Sequence, residues 1–303
     1  MASLKDMKEG PAKTGSYLSH DEIKEVIRQQ KERKTSPIVA GIYGVDGTAK
    51  TGIALNIRTQ EDIDAGRPLY IVDFDYGVKP LLEEYYCVRD SEGNPIKDNN
   101  GNREIENGIV LLDPVVRHDD GEKRGAINPI ETIRMTMSML YFIYEEGEGE
   151  SSGVIMDGMD TWLKDCEYYM REDALKIDAM ATTSQTNWYI RDQKHDQALI
   201  LAKSLPCPTI FITHLKDKMA YVDKQLTTID TYPKWGELCN SQVYQKIECF
   251  KKEKQNTLEL WARVNKAKGK LYLEGHEYKI ATIPNKGLKE DAVWESFDWS
   301  IFK

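Results

Sequence analysis

Five short runs of this chain are apolar at successive positions: residues 37–44 (PIVAGIYG), 69–75 (LYIVDFD), 109–115, 154–157 (VIMD) and 208–214 (PTIFITH). A strand buried on one face alternates apolar and polar positions, whereas a strand buried on both faces reads as a continuous apolar run. Between these runs, residues 51–57, 129–144, 161–172 and 187–204 have the spacing of helices. Strands alternating with helices predict an α/β fold with a mainly parallel central sheet flanked by helices. The last third turns richer in β-type segments, at 242–250, 257–265 and 270–280, which adds strands at the C-terminal end. Ahead of the first strand, residues 20–34 carry only Ile23, Val26 and Ile27 as an apolar stripe behind Ser19, a surface helix with an N-cap. Residues 91–107, rich in Asn, Gly and charge, read as an exposed hairpin or loop, and 145–153 as an acidic, glycine-rich connector. No internal repeat stands out. The expected organisation is an N-terminal extension (1–36), a core (37–280) with an exposed insertion (88–108), and a C-terminal tail (281–303).

Composition narrows the class. With 40% hydrophobic and 30% charged residues the chain falls among globular proteins rather than disordered or membrane ones. The longest apolar stretch, 135–144, is far short of the roughly 20 residues that span a bilayer, so no membrane partner is expected. The N-terminus, MASLKDMKEG, lacks the apolar core of a signal peptide. Five cysteines without a CxxC pair argue against a zinc ribbon or disulfide scaffold and for reduced thiols, hence a cytoplasmic location. The formal charge is −9 and uneven. From Cys207 onward 16 Lys and Arg face 13 acids, against 25 facing 37 before it. Such a chain does not coat DNA indiscriminately, but a local basic patch remains admissible.

The chemistry concentrates at residues 44–52. Gly44, Val45, Asp46, Gly47, Thr48, Ala49, Lys50 and Thr51 follow an apolar strand and, with Gly52, lead into a helix. A phosphate-binding P-loop reads G-x-x-x-x-G-K-[ST] in that context, with backbone N–H groups cradling the phosphates of ATP. Lys50 would reach the β- and γ-phosphates and the Thr51 hydroxyl would ligate Mg2+. Ala49 stands where the pattern has its second glycine. The magnesium shell also needs an acid from a neighbouring strand, and both Asp157 and Asp73 end strands where ligands collect in open α/β sheets.

In the order of these motifs the chain resembles the RecA-type ATPases, and within them the RecA-like recombinases of phages and viruses. The resemblance runs over about residues 37–270. It implies that Asp75 is the catalytic carboxylate acting on the attacking water and that Asp157 is the Walker B acid. It implies that His214 senses the γ-phosphate, and that Lys266 and Lys268, in Arg263-Val-Asn-Lys266-Ala-Lys268, reach a neighbouring subunit's nucleotide. Self-association into a filament or ring follows from that last role. The family's adenine-stacking aromatic has no counterpart, since Leu82 takes its place; Tyr85 and Tyr86 are the nearby aromatics. Loops lining the family's DNA channel correspond to about 170–187 and 215–241. The second carries Lys216, Lys218, Tyr221, Lys224, Lys234 and Trp235, a mixture suited to single-stranded DNA. The implied function is an ATPase acting on single-stranded DNA in recombination or annealing. A helicase-like or KaiC-like regulatory ATPase is the alternative, as is a nucleotide-gated structural protein with little turnover.

Overall fold

A computed structural model describes residues 21, 23–24, 38–119, 121, 124–146, 151–178, 181–222, 225–284 and 292–303. The chain divides into two compact units, 1–35 and 36–303. In the first, Asp21, Ile23 and Lys24 are helical. The rest of the helix expected at 20–34, Ser19 included, lies outside the described residues, as do residues 147–150 of the connector.

In the second unit ten described strands form one sheet. They are β1 (Val39–Gly44), β2 (Leu69–Asp73), β3 (Ile109–Leu112), β4 (Gly153–Asp157), β5 (Thr209–Val222), β6 (Gln225–Pro233), β7 (Gln245–Glu253), β8 (Thr257–Ala267), β9 (Glu277–Pro284) and β10 (Val293–Trp294). The order across the sheet is β10-β9-β8-β7-β1-β5-β4-β2-β3, with β6 paired to β5 alone. From β7 through β1, β5, β4 and β2 to β3 every neighbour is parallel. The C-terminal strands β8, β9 and β10 continue the sheet antiparallel from β7. The helices are α1 (Lys50–Leu55), α2 (Gln60–Asp64), α3 (Val78–Tyr85), α4 (Pro129–Glu146), α5 (Met159–Tyr168), α6 (Trp188–Lys203) and α7 (Glu237–Gln242).

The continuous apolar runs have the expected cause. In β1, Ala40 and Ile42 join one core cluster while Val39 and Tyr43 join the other, so both faces of the strand are buried. The first cluster takes Ile53, Ala54 and Leu55 from α1; the second takes Trp162 and Cys166 from α5 and Leu199 from α6.

Three segments depart from the sequence reading. In the segment expected as a C-terminal tail, the described residues 292–303 pack on the core: Phe297, Trp299 and Phe302 are buried in the first cluster. The Trp299 indole donates to the Ile53 carbonyl at 2.9 Å and the Asn56 side chain accepts from the Phe297 amide at 2.8 Å, which ties the segment to α1 and the turn after it. The aromatic density of WESFDWSIF was the signal, since so much apolar area is rarely left in water. Nor do residues 215–222 and 225–241 form an open loop. β5 runs on past His214 and pairs antiparallel with β6 from Leu215↔Pro233 to Val222↔Gln225 before α7 begins. Nothing between Thr209 and Val222 breaks a strand, and the return strand is rich in threonine. The insertion does contain a short repeat. Asp90 and Asp98 each accept backbone N–H bonds within five-residue turns that close on Gly-Asn. The amides of Val88, Ile96 and Glu104 bond in a closed cycle to the carbonyls of Glu104, Val88 and Ile96.

Candidate nucleotide site

β1 is the strand on which the parallel block turns: β5 lies on one side and β7 on the other. The loop leaving its C-terminal end is therefore flanked by both neighbours, a position where ligands collect in open α/β sheets. Gly44 is required there, because a Cβ would lie 2.3 Å from the Cys249 carbonyl oxygen of β7. The loop then turns through Gly47 (φ 68°) and Ala49 (φ 64°), two left-handed residues, with the Thr48 hydroxyl donating to the Val45 carbonyl at 2.7 Å. Ala49 thus occupies the one loop position where the glycine of the phosphate-binding pattern is replaced, in a conformation that favours glycine. It also stands as the N-cap of α1 and offers no side-chain bond to the first-turn amides.

Lys50 opens α1 and folds over the loop, its Nζ donating to the carbonyls of Gly44 (3.2 Å) and Val45 (3.0 Å). Burial pushes its pKa down. Thr51 points to β4, and its hydroxyl donates to Asp157 Oδ2 at 2.7 Å. Asp157 is 6% exposed, and burial lifts its carboxyl to about 7, with Asp75 and Asp73 adding like charge and Thr51 and Lys50 opposing. Asp73 pairs in register with Asp157 and is raised to about 6 by burial.

The two acids differ in what they touch. Asp73 Oδ2 accepts the Val78 amide at 3.0 Å and its Oδ1 the Asp75 amide at 3.3 Å, so this carboxylate caps α3. Asp157 alone meets the loop's hydroxyl. No group of three or more His, Cys, Asp or Glu among the described residues is arranged to hold a metal by itself. Mg2+ commonly binds through one or two carboxylates together with phosphate oxygens and water. Thr51 and Asp157 fit that donor set, and a cation beside the two raised carboxyls would relieve their mutual repulsion.

Asp75 belongs to the same cluster of like charge, and its Oδ1 accepts the Gly77 amide at 3.1 Å. His214 ends the parallel part of β5. Its Nε2 lies 2.8 Å from Asp46 Oδ1, and its Nδ1 lies 3.2 Å from Asp160 Oδ1. Asp160, in the first turn of α5, also takes the Lys234 ammonium at 3.2 Å. Burial works to raise Asp160, but the His214 and Lys234 contacts hold it at about 2. The Asp160 bond raises His214 above the ordinary imidazole value. Sequence reasoning missed Asp160; its signal was position, three residues beyond Asp157 in DGMD and so on the same helix entry. It also missed Lys251, whose Nζ donates to the Asp46 carbonyl at 2.9 Å from β7.

Other expected residues sit elsewhere. Lys266 is a structural cation: its Nζ donates to the carbonyls of Asn240 (3.1 Å), Ser241 (3.4 Å) and Val243 (2.7 Å), the end of α7. To reach a neighbour's nucleotide it would have to leave all three. Lys268 instead lies over the Tyr244 ring, 4.7 Å from its centroid. Trp235 is no stacking platform, being 6% exposed, edge-on to Tyr43, with its indole N–H on Asn240. His195 is fully buried on α6. Lys216, Lys218 and Tyr232 remain exposed on the β5–β6 hairpin; the side chains of Tyr221 and Lys224 lie outside the described residues. Tyr85 packs against Trp294 at the sheet's far edge.

No protein-family model matches the chain, and no curated protein matches its sequence. Among solved structures it is similar to the crystal structure of the RadB recombinase, at 14% identity and a TM-score of 0.43, over 84% of this chain and 90% of that one. No helix among the described residues is long and apolar enough to cross a membrane.

Proposed function

We propose that this chain is a RecA-like ATPase that binds Mg-ATP at residues 44–52 and hydrolyses it, acting on single-stranded DNA in recombination or annealing. The observation that carries the nucleotide part is the 2.7 Å contact between Thr51 and Asp157, from residues 106 positions apart. It brings the two oxygen donors of a nucleotide-bound Mg2+ together beneath a loop that Lys50 already spans. Asp75, beside Asp157, supplies the carboxylate for the attacking water, and His214 faces the loop from β5. The DNA part is supported by Lys216, Lys218 and Tyr232, exposed on the β5–β6 hairpin, where Lys216 and Tyr232 lie opposite each other one position from its base. The recombinase reading, its phage and viral branch included, and assembly into a filament or ring come from the order of motifs; Lys268 is the cation left for a neighbour's site.

A second reading, a nucleotide-gated protein with little turnover, is favoured by two features. Asp75 is engaged by the Gly77 amide, and Ala49 holds the loop in a strained turn. ATP hydrolysis by the full chain, measured with and without single-stranded DNA, separates the two. Turnover that rises with DNA and falls at least about tenfold in Lys50→Ala, the loss of a charge-assisted phosphate contact, supports the first. ATP binding without DNA-stimulated turnover supports the second. Absence of ATP binding overturns both.

A further inference from the structure

Asp46 is the third residue of the loop, and the proposal for nucleotide binding gives its carboxylate nothing to do. Its side chain is 90% exposed, yet it does not point away: Oδ1 meets His214 Nε2 at 2.8 Å. On its other side the same imidazole meets Asp160 through Nδ1 at 3.2 Å. A neutral imidazole has one N–H, so it can donate to only one of two flanking carboxylates. Acids at both nitrogens favour the doubly protonated imidazolium, the form that can donate to each. The charged groups around it are Asp46 from the loop, Asp160 from α5, Lys234 beyond Asp160, and the ammonium of Lys50, which opposes its charge.

The two acids are not equivalent. Asp160 is 9% exposed in its side chain, sits on a helix, and is held by Lys234 as well. Asp46 is on the loop itself, at the place where phosphate oxygens would enter. We propose that the Asp46 carboxylate is an internal stand-in for the γ-phosphate: it occupies the Nε2–H of His214 and must yield it when a nucleoside triphosphate binds. This rests on the nucleotide reading above and adds a specificity determinant to it. A triphosphate has the third phosphate to compete for that N–H, and a diphosphate does not, so Asp46 lowers affinity for ATP selectively. Asp160 keeps the ring in place throughout and is a positioning residue.

The test uses the full chain in two measurements. First, the titration of His214 is followed by NMR without nucleotide, in the parent and in Asp46→Asn. A lower midpoint in the variant is expected, because one of the two acceptors of the imidazolium has lost its charge; an unchanged midpoint overturns the proposal. Second, equilibrium binding of ATP and ADP is compared in the parent, Asp46→Ala, His214→Ala and the double variant. Asp46→Ala is expected to raise ATP affinity about two- to fivefold relative to ADP, the range of an exposed ion pair. That gain should vanish when His214 is alanine. An equal gain for both nucleotides, or a gain that persists without His214, means plain charge repulsion and overturns the proposal while leaving the nucleotide site standing. A parent that binds neither nucleotide overturns the site reading and this proposal with it.

Discussion

Replacing Ala49 with glycine tests whether the loop is a phosphate-binding loop held slightly out of its preferred geometry. The residue sits at φ 64° and ψ 24°, where an L side chain crowds the following carbonyl. The left-handed conformation costs about 1–2 kcal/mol for a residue with a Cβ. Against this, glycine loses about 0.5–1 kcal/mol more in chain freedom on folding. The methyl group is half-buried against the first core cluster, and removing it costs a few tenths more of the roughly 0.8 kcal/mol that a fully buried carbon contributes. The balance is a gain of about 0.5 kcal/mol, or about 1–2 °C in melting temperature for a domain of this size. Ala49→Val is the informative partner, because a branched Cβ at this φ adds to the penalty and should cost at least about 1 kcal/mol. Calorimetry of the three proteins without ligand should order them glycine, alanine, valine. Binding of ATP to the glycine variant should be equal or tighter. A glycine variant less stable than the parent, or a valine variant as stable as it, would refute the strain argument. Lost nucleotide binding in the glycine variant would show that the loop's function needs a conformation outside the phosphate-binding pattern.

Three further outcomes follow from contacts described above. Asp157 binds its proton more readily folded (about 7) than unfolded (about 3.9), so the folded state carries more protons between those values and its stability falls as pH rises through that window. Asp73 acts with the same sign; in Asp157→Asn the drop in melting temperature between about pH 5 and pH 8 should shrink, and an unchanged drop would refute the raised carboxyl. Trp299→Ala removes a nearly fully buried indole and its bond to Ile53, and should cost about 3–5 kcal/mol in denaturant unfolding; a loss under about 1 kcal/mol would mean the segment is dispensable. Lys266→Ala should lower stability by about 1 kcal/mol, as a helix-end cation does, with turnover per folded molecule unchanged, whereas Lys268→Ala should lose turnover and regain part of it when mixed with Lys50→Ala. Full turnover in Lys268→Ala would remove the neighbour-reaching role.

The strands β1 to β5 were legible in the chain, because a strand covered on both faces must be apolar throughout and carries its burial in every residue, whereas the short helices α2 and α3 left no such periodic signal. Residues 37–44, 154–157 and 208–214 show it plainly. The turn from β1 into α1 was equally legible as a strand, a glycine-containing loop and a helix start, since those signals are local. What the sequence could not decide was long-range. Asp73 and Asp157 both end apolar strands, and only the neighbouring positions of β2 and β4, and the direction of the Thr51 hydroxyl, separate the acid that caps α3 from the acid that meets Thr51. Lys266 reads as an exposed cation among lysines until α7 comes to rest with its open carbonyls beneath it. Trp235 reads as a stacking surface until Gly41, 2.3 Å from its ring by a built Cβ, leaves it room to lie on β1. The four side chains Lys234, Asp160, His214 and Asp46 come from the link after β6, a helix, a strand and a loop, and share no spacing. Local patterns record what a residue's own backbone requires; partners from distant segments leave no such record, because any of many charged residues could have met them.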